Sequence, residues 1–125
     1  IGVPGAKEIL FKGVIGKVVT ALKVEAETRL VEGLIEHISK DDGLGAYGYA
    51  EVSKAVQFGA VEDLLITDKR LREGSDDERK KMDTLIRNTE ATRGAFHIVS
   101  TEHPTGEQLH RLGGIAAILR FRIDQ

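Results

Sequence analysis

Three short apolar runs constrain this chain more than any other feature: VEDLLIT at 61–67, AFHIVS at 95–100 and IAAILRF at 115–121. Their near-continuous apolar character predicts strands buried on both faces. Segments of helical periodicity alternate with them. Residues 49–58 form a helix with Val52, Ala55 and Val56 inward and Gly59 as its stop. Ser75 caps the next helix, with Glu78 three residues later as a capping box. Its apolar stripe is Met82, Leu85, Ile86 and Thr89, and Gly94 closes it. Thr105 and Gln108 read as a second capping box before Leu109 and Leu112, and Gly113–Gly114 turn the chain into the last strand. Strands alternating with helices imply a sheet covered on both faces, an α/β/α sandwich. Leu64, Leu65, Ile66, Ile98, Ile118 and Leu119 are its expected core.

Upstream, Leu30, Val31, Leu34, Ile35 and Ile38 recur at three- and four-residue steps, predicting a long helix over about 24–40. Glu25 and Arg29 stand four apart with the acid first, the favourable order. Gly33 within this stripe suggests close packing, and Asp41, Asp42 and Gly43 end it. Residues 4–19 read as a short helical hairpin, with Pro4 at a first helical position and Gly13 as a stop. Leu44–Tyr47 is a short strand candidate, and 68–75, DKRLREGS, is the most exposed-looking loop. No linker or repeat divides the chain, so residues 1–125 are expected to form one domain with a short helical lead-in at 1–20. Ile1 is not a start methionine, which suggests a piece of something longer.

The stretch GLGAYG at 43–48 fits the letters of a dinucleotide fingerprint. Its context does not. The fingerprint needs a strand before it and a helix opening on its glycines. Here a helix precedes it, and Asp41 and Asp42 would meet an incoming phosphate with negative charge. Gly48 is better read as a tight strand-to-helix junction and Gly43 as a helix stop.

Composition excludes several classes. Hydrophobic residues are 41% and charged residues 30% of 125, which suits a globular chain. A net charge of −2 gives no global pull toward nucleic acid or anionic lipid, and no apolar run approaches a membrane span. There is no cysteine, so disulfides, thiol nucleophiles and cysteine-held metal are ruled out. His97, His103 and His110, with Glu102 and Glu107, raise a metal reading, but a strand, a Pro104 junction and a helix scatter them. Ser100, His103 and Glu107 lack the frame of a nucleophile elbow. No catalytic, cofactor or metal site is expected.

AYGYAEVSKAVQFGAVEDLLITD, residues 46–68, resembles the signature stretch shared by the carboxy-terminal domains of class I release factors and Pelota. The ending GEQLHRLGGIAAILRF (106–121) and the beginning GAKEILFKGVIGKVV with AETRLVEGLIEHISKD resemble the same domain, so the likeness covers essentially the whole chain. Release factors carry a minidomain between the two central strands. Only residues 68–94 lie there in this chain, which resembles Pelota, and an archaeal one.

The resemblance implies a mixed sheet in a fold like that of ribosomal protein L7Ae. It also implies a cytoplasmic, non-catalytic adaptor of ribosome rescue, acting in mRNA surveillance and no-go decay. Such a domain docks on an elongation-factor-like GTPase and later lies near an ABC-type splitting ATPase on a stalled ribosome. A release-factor carboxy-terminal domain and a kink-turn RNA-binding module are the alternatives. Gly48, Glu51 and Lys54 keep the frame of the kink-turn motif, but Ala50 stands where its asparagine would supply a donor and an acceptor. Weak contact with ribosomal RNA would use Lys54, Lys69, Arg70 and Arg72, and would position rather than read sequence. The GTPase contact is assigned to Glu107, His110 and Arg111, outward on the helix whose Leu109 and Leu112 face in.

Overall fold

A computed structural model describes residues 4–123, with the backbone course alone for residues 4–21. The elements run α1 (Pro4–Lys40), β1 (Gly45–Tyr47), α2 (Tyr49–Gln57), β2 (Val61–Thr67), α3 (Asp68–Glu73), α4 (Asp76–Ala91), β3 (Ala95–Val99), α5 (Pro104–Arg111) and β4 (Ile115–Leu119). The sheet order is β1-β4-β2-β3. β4 is antiparallel to both β1 and β2, while β3 is parallel to β2.

Side-chain alternation along β2 divides the core in two. Leu64 and Ile66 face α2 and α4, packing with Val52, Ala55, Val56, Met82 and Leu85. Leu65 faces the opposite layer, with Val31 and Leu34 of α1 and Leu109 of α5. Helices therefore cover both faces of a mixed sheet. Leu64, Leu65, Ile66 and Leu119 are buried as expected, and Ile118 is half-buried. Ile98 is not buried: it is 41% exposed, because β3 is an edge strand that the covering helices do not fully reach. β3 stops at Val99, where Ser100 begins a turn by accepting the Glu102 N–H. β4 stops at Leu119 rather than Phe121. Its pairing with β2 passes a bulge between Val61 and Asp63 and ends with Leu119 opposite Val61, and Phe121 is left exposed.

Every helix but α3 ends in one hydrogen-bonding pattern, in which a residue in left-handed geometry follows the last turn. Gly59 and Gly113 take that position after α2 and α5, as their glycines suggest. After α1 it is Asp41 (φ 52), and after α4 it is Arg93 (φ 66), rather than Gly43 or Gly94. Gly94 serves close approach instead: a Cβ there would lie 2.6 Å from the Val61 carbonyl oxygen. Asp42 is not merely solvated. Its carboxylate lies 2.7 Å from His37 Nδ1 and accepts the Leu44 N–H, and these bonds hold its pKa below the ordinary value.

The expected hairpin at 4–19 is one continuous helix with the rest of α1. Glycine costs a helix about 1 kcal/mol but keeps its N–H, and no proline follows Gly13 to stop propagation. Side-chain roles proposed for Ile9, Leu10 and Val14–Val19 lie outside the described residues. The 68–75 loop is largely helix α3, whose first turn is capped by Thr67 Oγ1 accepting the Arg70 N–H at 3.1 Å. The second capping box does not form. α5 starts one residue before Thr105, with Pro104 in the first turn, and Thr105 Oγ1 instead lies 3.5 Å from Thr28 Oγ1. Ser75 does cap α4, accepting the Glu78 N–H, although the Glu78 carboxylate turns to Arg70.

Gly33 does not mark close packing, since a Cβ there would meet nothing within 4 Å. Gly33→Ala is therefore expected to stabilise the fold by about 0.5–1 kcal/mol through helix propensity alone. A urea midpoint that falls would show a contact the geometry does not contain.

Candidate partner-binding cleft

β2 and β3 run parallel, so their carboxyl ends open on the same side of the sheet, a position where α/β folds commonly place ligands. α3 leaves from the end of β2 without a connecting loop. Asp68 fixes it there: Oδ1 accepts the Lys69 N–H at 2.7 Å, the Thr101 N–H at 3.0 Å and the Thr101 hydroxyl at 2.8 Å. That carboxylate ties α3 to the turn between β3 and α5. Thr67 makes a second tie, with its Oγ1 3.2 Å from His110 Nδ1. Between the two helices lies a cleft of about 320 Å³ lined by Lys69, Thr101, Glu107, His110 and Arg111.

Two glycines permit this approach. At Gly106 the first turn of α5 passes so close to the chain that a Cβ would overlap the Ser100 carbonyl. Gly114 (φ 78) fits between Arg70 Cβ, Thr67 Oγ1 and His110 Nδ1, each within 3.2 Å of where its Cβ would sit.

The structure gathers Glu107, His110 and Arg111 with Lys69 in this one cleft. Glu107 and Arg111 are exposed, whereas His110 is half-buried and turned toward Thr67 rather than outward. The other basic residues are arranged differently. Lys54 lines a separate cleft with Glu51, Gly43 and Ile123. Arg70 Nη1 donates to Glu78 at 3.3 Å, and Arg72 pairs with Asp68 at 3.7 Å. The four do not form one basic surface. Thr67, Asp68 and Thr101 organise the cleft and were not singled out from sequence. The signal for the first two is the cap-and-acid pair Thr67-Asp68 opening a charged helix.

Burial raises the Asp68 pKa, but the Thr101 N–H, the Thr101 hydroxyl and the Lys69 N–H outweigh it, leaving the carboxyl below its ordinary 3.8. A depressed folded pKa contributes stability that is fully present above 3.8 and lost as pH falls through the folded value. The gap in urea midpoint between the parent chain and Asp68→Ala should therefore be full at neutral pH and shrink below pH 3.8. A gap independent of pH would show that the carboxylate charge plays no part in the clamp.

Among the described residues, no group of three or more histidine, aspartate or glutamate side chains could hold a metal, and no helix is long and apolar enough to cross a membrane.

Residues 24–123 match the family described as eRF1 domain 3. A protein pelota homolog of Methanosarcina barkeri is 42% identical over 123 residues, 98% of this chain and 35% of that protein. One from Methanococcus maripaludis is 44% identical over the same length. This chain thus spans about a third of the relatives it matches. Among solved structures, Archaeoglobus fulgidus Pelota superposes with a TM-score of 0.81 at 38% identity, over 100% of this chain and 38% of its own. A model of ribosome-bound archaeal Pelota and ABCE1 superposes at 0.80 with 42% identity, covering 99% of this chain and 34% of that one. The carboxy-terminal domain of a peptide chain release factor from Methanosarcina mazei reaches 0.79 at 20% identity over 97% and 96% of the two chains, a likeness of fold alone.

Proposed function

The chain belongs to the eRF1 domain 3 family, on its Pelota side, and from that membership we propose that it is the non-catalytic adaptor domain of a ribosome-rescue factor. The 125 residues act as one domain, with an L7Ae-like arrangement of the sheet, in the cytoplasm. The domain docks on an elongation-factor-like GTPase through the α3–α5 cleft and supports splitting of stalled ribosomes beside an ABC-type ATPase. The relative described as bound to a ribosome together with ABCE1 supports the ribosome and ATPase parts of this reading. The observation that carries the docking surface is the convergence of Lys69, Glu107 and Arg111 on one cleft.

Against the release-factor alternative stands the span between β2 and β3. α3 and α4 occupy Asp68–Ala91, which leaves no length for an inserted minidomain. The intact parent protein is expected to promote splitting of ribosomes with an empty decoding site, independent of a stop codon. Peptide release that requires a stop codon would overturn this reading. The kink-turn alternative is weakened by Ala50 and by the ion-paired state of Arg70 and Arg72. Lys69 and Arg111 are the cations that line the cleft.

Arg111→Glu tests the surface. The side chain is exposed at the cleft rim, so reversing its charge leaves the core intact while opposing the partner's field. Calorimetry against the archaeal elongation-factor-like GTPase should show binding weakened about tenfold at low salt, with the difference shrinking as salt rises. Circular dichroism should be unchanged. Equal affinities at low and physiological salt would remove Arg111 from the interface.

A further inference from the structure

On the far side of the sheet from α2 and α4, α1 runs beside β3, and a groove of about 310 Å³ lies between them. Ala26, Glu27 and Leu30 form its helical wall, and the Phe96–Ile98 stretch of β3 forms its strand wall, with His97 on the α1 face. Three observations make it unlike an ordinary surface furrow. β3 pairs with β2 alone, so its outer edge carries main-chain groups without a neighbouring strand. Ile98, register partner of Ile66, is a large apolar side chain left in water on the other face of this strand, beside the same open edge. Glu27 is only 6% exposed, and its Oε1 has no hydrogen-bond partner among the described residues.

A carboxylate oxygen removed from water without a donor is costly and persists where something else supplies the donor. His97 does not supply it: its Nε2 lies 3.0 Å from Asp63 Oδ1, and neither of its ring nitrogens hydrogen-bonds Glu27 Oε1. Lys23 stands at the rim with its side chain in solvent. An uncovered strand edge is likewise a template for another strand. We propose that this groove docks an extended segment of a separate protein, which adds a strand to the outer edge of β3 and places an arginine against Glu27. Main-chain pairing supplies affinity that any strand could have. The buried carboxylate supplies the selection, since a guanidinium is more weakly hydrated than an ammonium and can offer it a planar pair of donors. On the added strand the residues next to the arginine fall on the Ile98 face and those two positions away fall on the Leu30 face, so apolar side chains at both would cover the edge. The groove is separate from the α3–α5 cleft in every lining residue, so this surface and the GTPase surface can fail or hold independently.

The test uses the ¹⁵N-labelled 125-residue chain and two blocked nonapeptides of alternating valine and threonine, one with a central arginine and one with glutamate in its place. The arginine peptide should give saturable shifts in the amides of Ala95–Val99 and Ala26–Leu30, and the glutamate peptide none. Glu27→Gln keeps the side chain's size, and its spectrum reports directly whether it folds. It should weaken the arginine peptide about tenfold. No saturable binding, equal binding of both peptides, equal affinity for Glu27→Gln, or shifts centred on Lys69 and Arg111 would each overturn the proposal.

Discussion

Leu65→Ala is expected to cost the fold about 2–5 kcal/mol. Leu65 sits at the middle of β2, with Ala116 of β4 opposite it on one side and His97 of β3 on the other. Its side chain is wholly buried, in contact with a cluster made by Val31, Leu34, Val99, Leu109 and Ala116. These neighbours come from α1, α5 and both flanking strands, so one truncation loosens every element of that layer. The sheet limits collapse into the vacated space, because both neighbouring strands are pinned by main-chain bonds. The smallness of Ala116 adds to the cost, since it offers no long side chain to swing in. Urea unfolding should show a lower midpoint with an unchanged slope, the signature of lost stability rather than an altered unfolded state. A loss below about 1 kcal/mol would mean that the layer repacks freely, and the division of the core into two rigid faces would be wrong.

Gly106→Ala should be the second large effect, and its sign is the informative part. Alanine is the better helix former by about 1 kcal/mol, and propensity alone predicts stabilisation. Space decides otherwise. The added Cβ would overlap the Ser100 carbonyl oxygen and lie 3.0 Å from Thr101 Cα. These are backbone atoms at the end of β3 and cannot rotate away. Either α5 or the turn before it must shift, at a cost of about 1–3 kcal/mol or more. α5 carries Leu109 into the α1 layer and presents Glu107 and Arg111 to the cleft, while the turn carries Thr101, which closes on Asp68. We expect a lower urea midpoint, faster exchange of the Thr101 amide and, on the proposed docking through this cleft, weaker GTPase binding from the same substitution. Gly33→Ala is the matched control, an identical chemical change at a helix position with open space. Stabilisation at both sites would show that α5 has room to move and that the cleft is not held as tightly as its geometry implies.

A pattern of that kind separates what the chain alone decides from what its packing decides. The strand at Val61–Thr67, the inward face of α2 and the Ser75 cap follow from local chemistry: apolar periodicity, and a hydroxyl placed to accept an orphan N–H. The glycine stops at Gly59 and Gly113 are equally local, because left-handed geometry costs glycine nothing. Asp41 and Arg93 occupy the same geometry without a glycine to announce it; Asp enters it more readily than Arg, and the local helix-end hydrogen bonds hold both. Thr67 was read only as the end of a strand; its cap role was signalled by the Thr67-Asp68 pair, and α3 starting without a loop gave it both roles at once.

Ile98 shows the larger limit. Its local sequence is as apolar as that of Ile66, and the two are register partners in the parallel pair, yet one is wholly buried and the other 41% exposed. Strand order alone separates them, and order is a property of long-range pairing that no local window contains. The candidate site divides the same way. Glu107 and Arg111 could be placed outward from helical spacing. Their meeting with Lys69, thirty-eight positions before Glu107, required β2 and β3 to run parallel and end together. Sequence determined most of the helices and strands and which faces would be apolar, because those follow from interactions between near neighbours in the chain, though not that α3 is a helix or that α1 runs unbroken. Tertiary structure alone decided which strand lay at the edge, which glycine needed to remain glycine and which charges shared a cleft, because each depends on atoms that only long-range packing brings together.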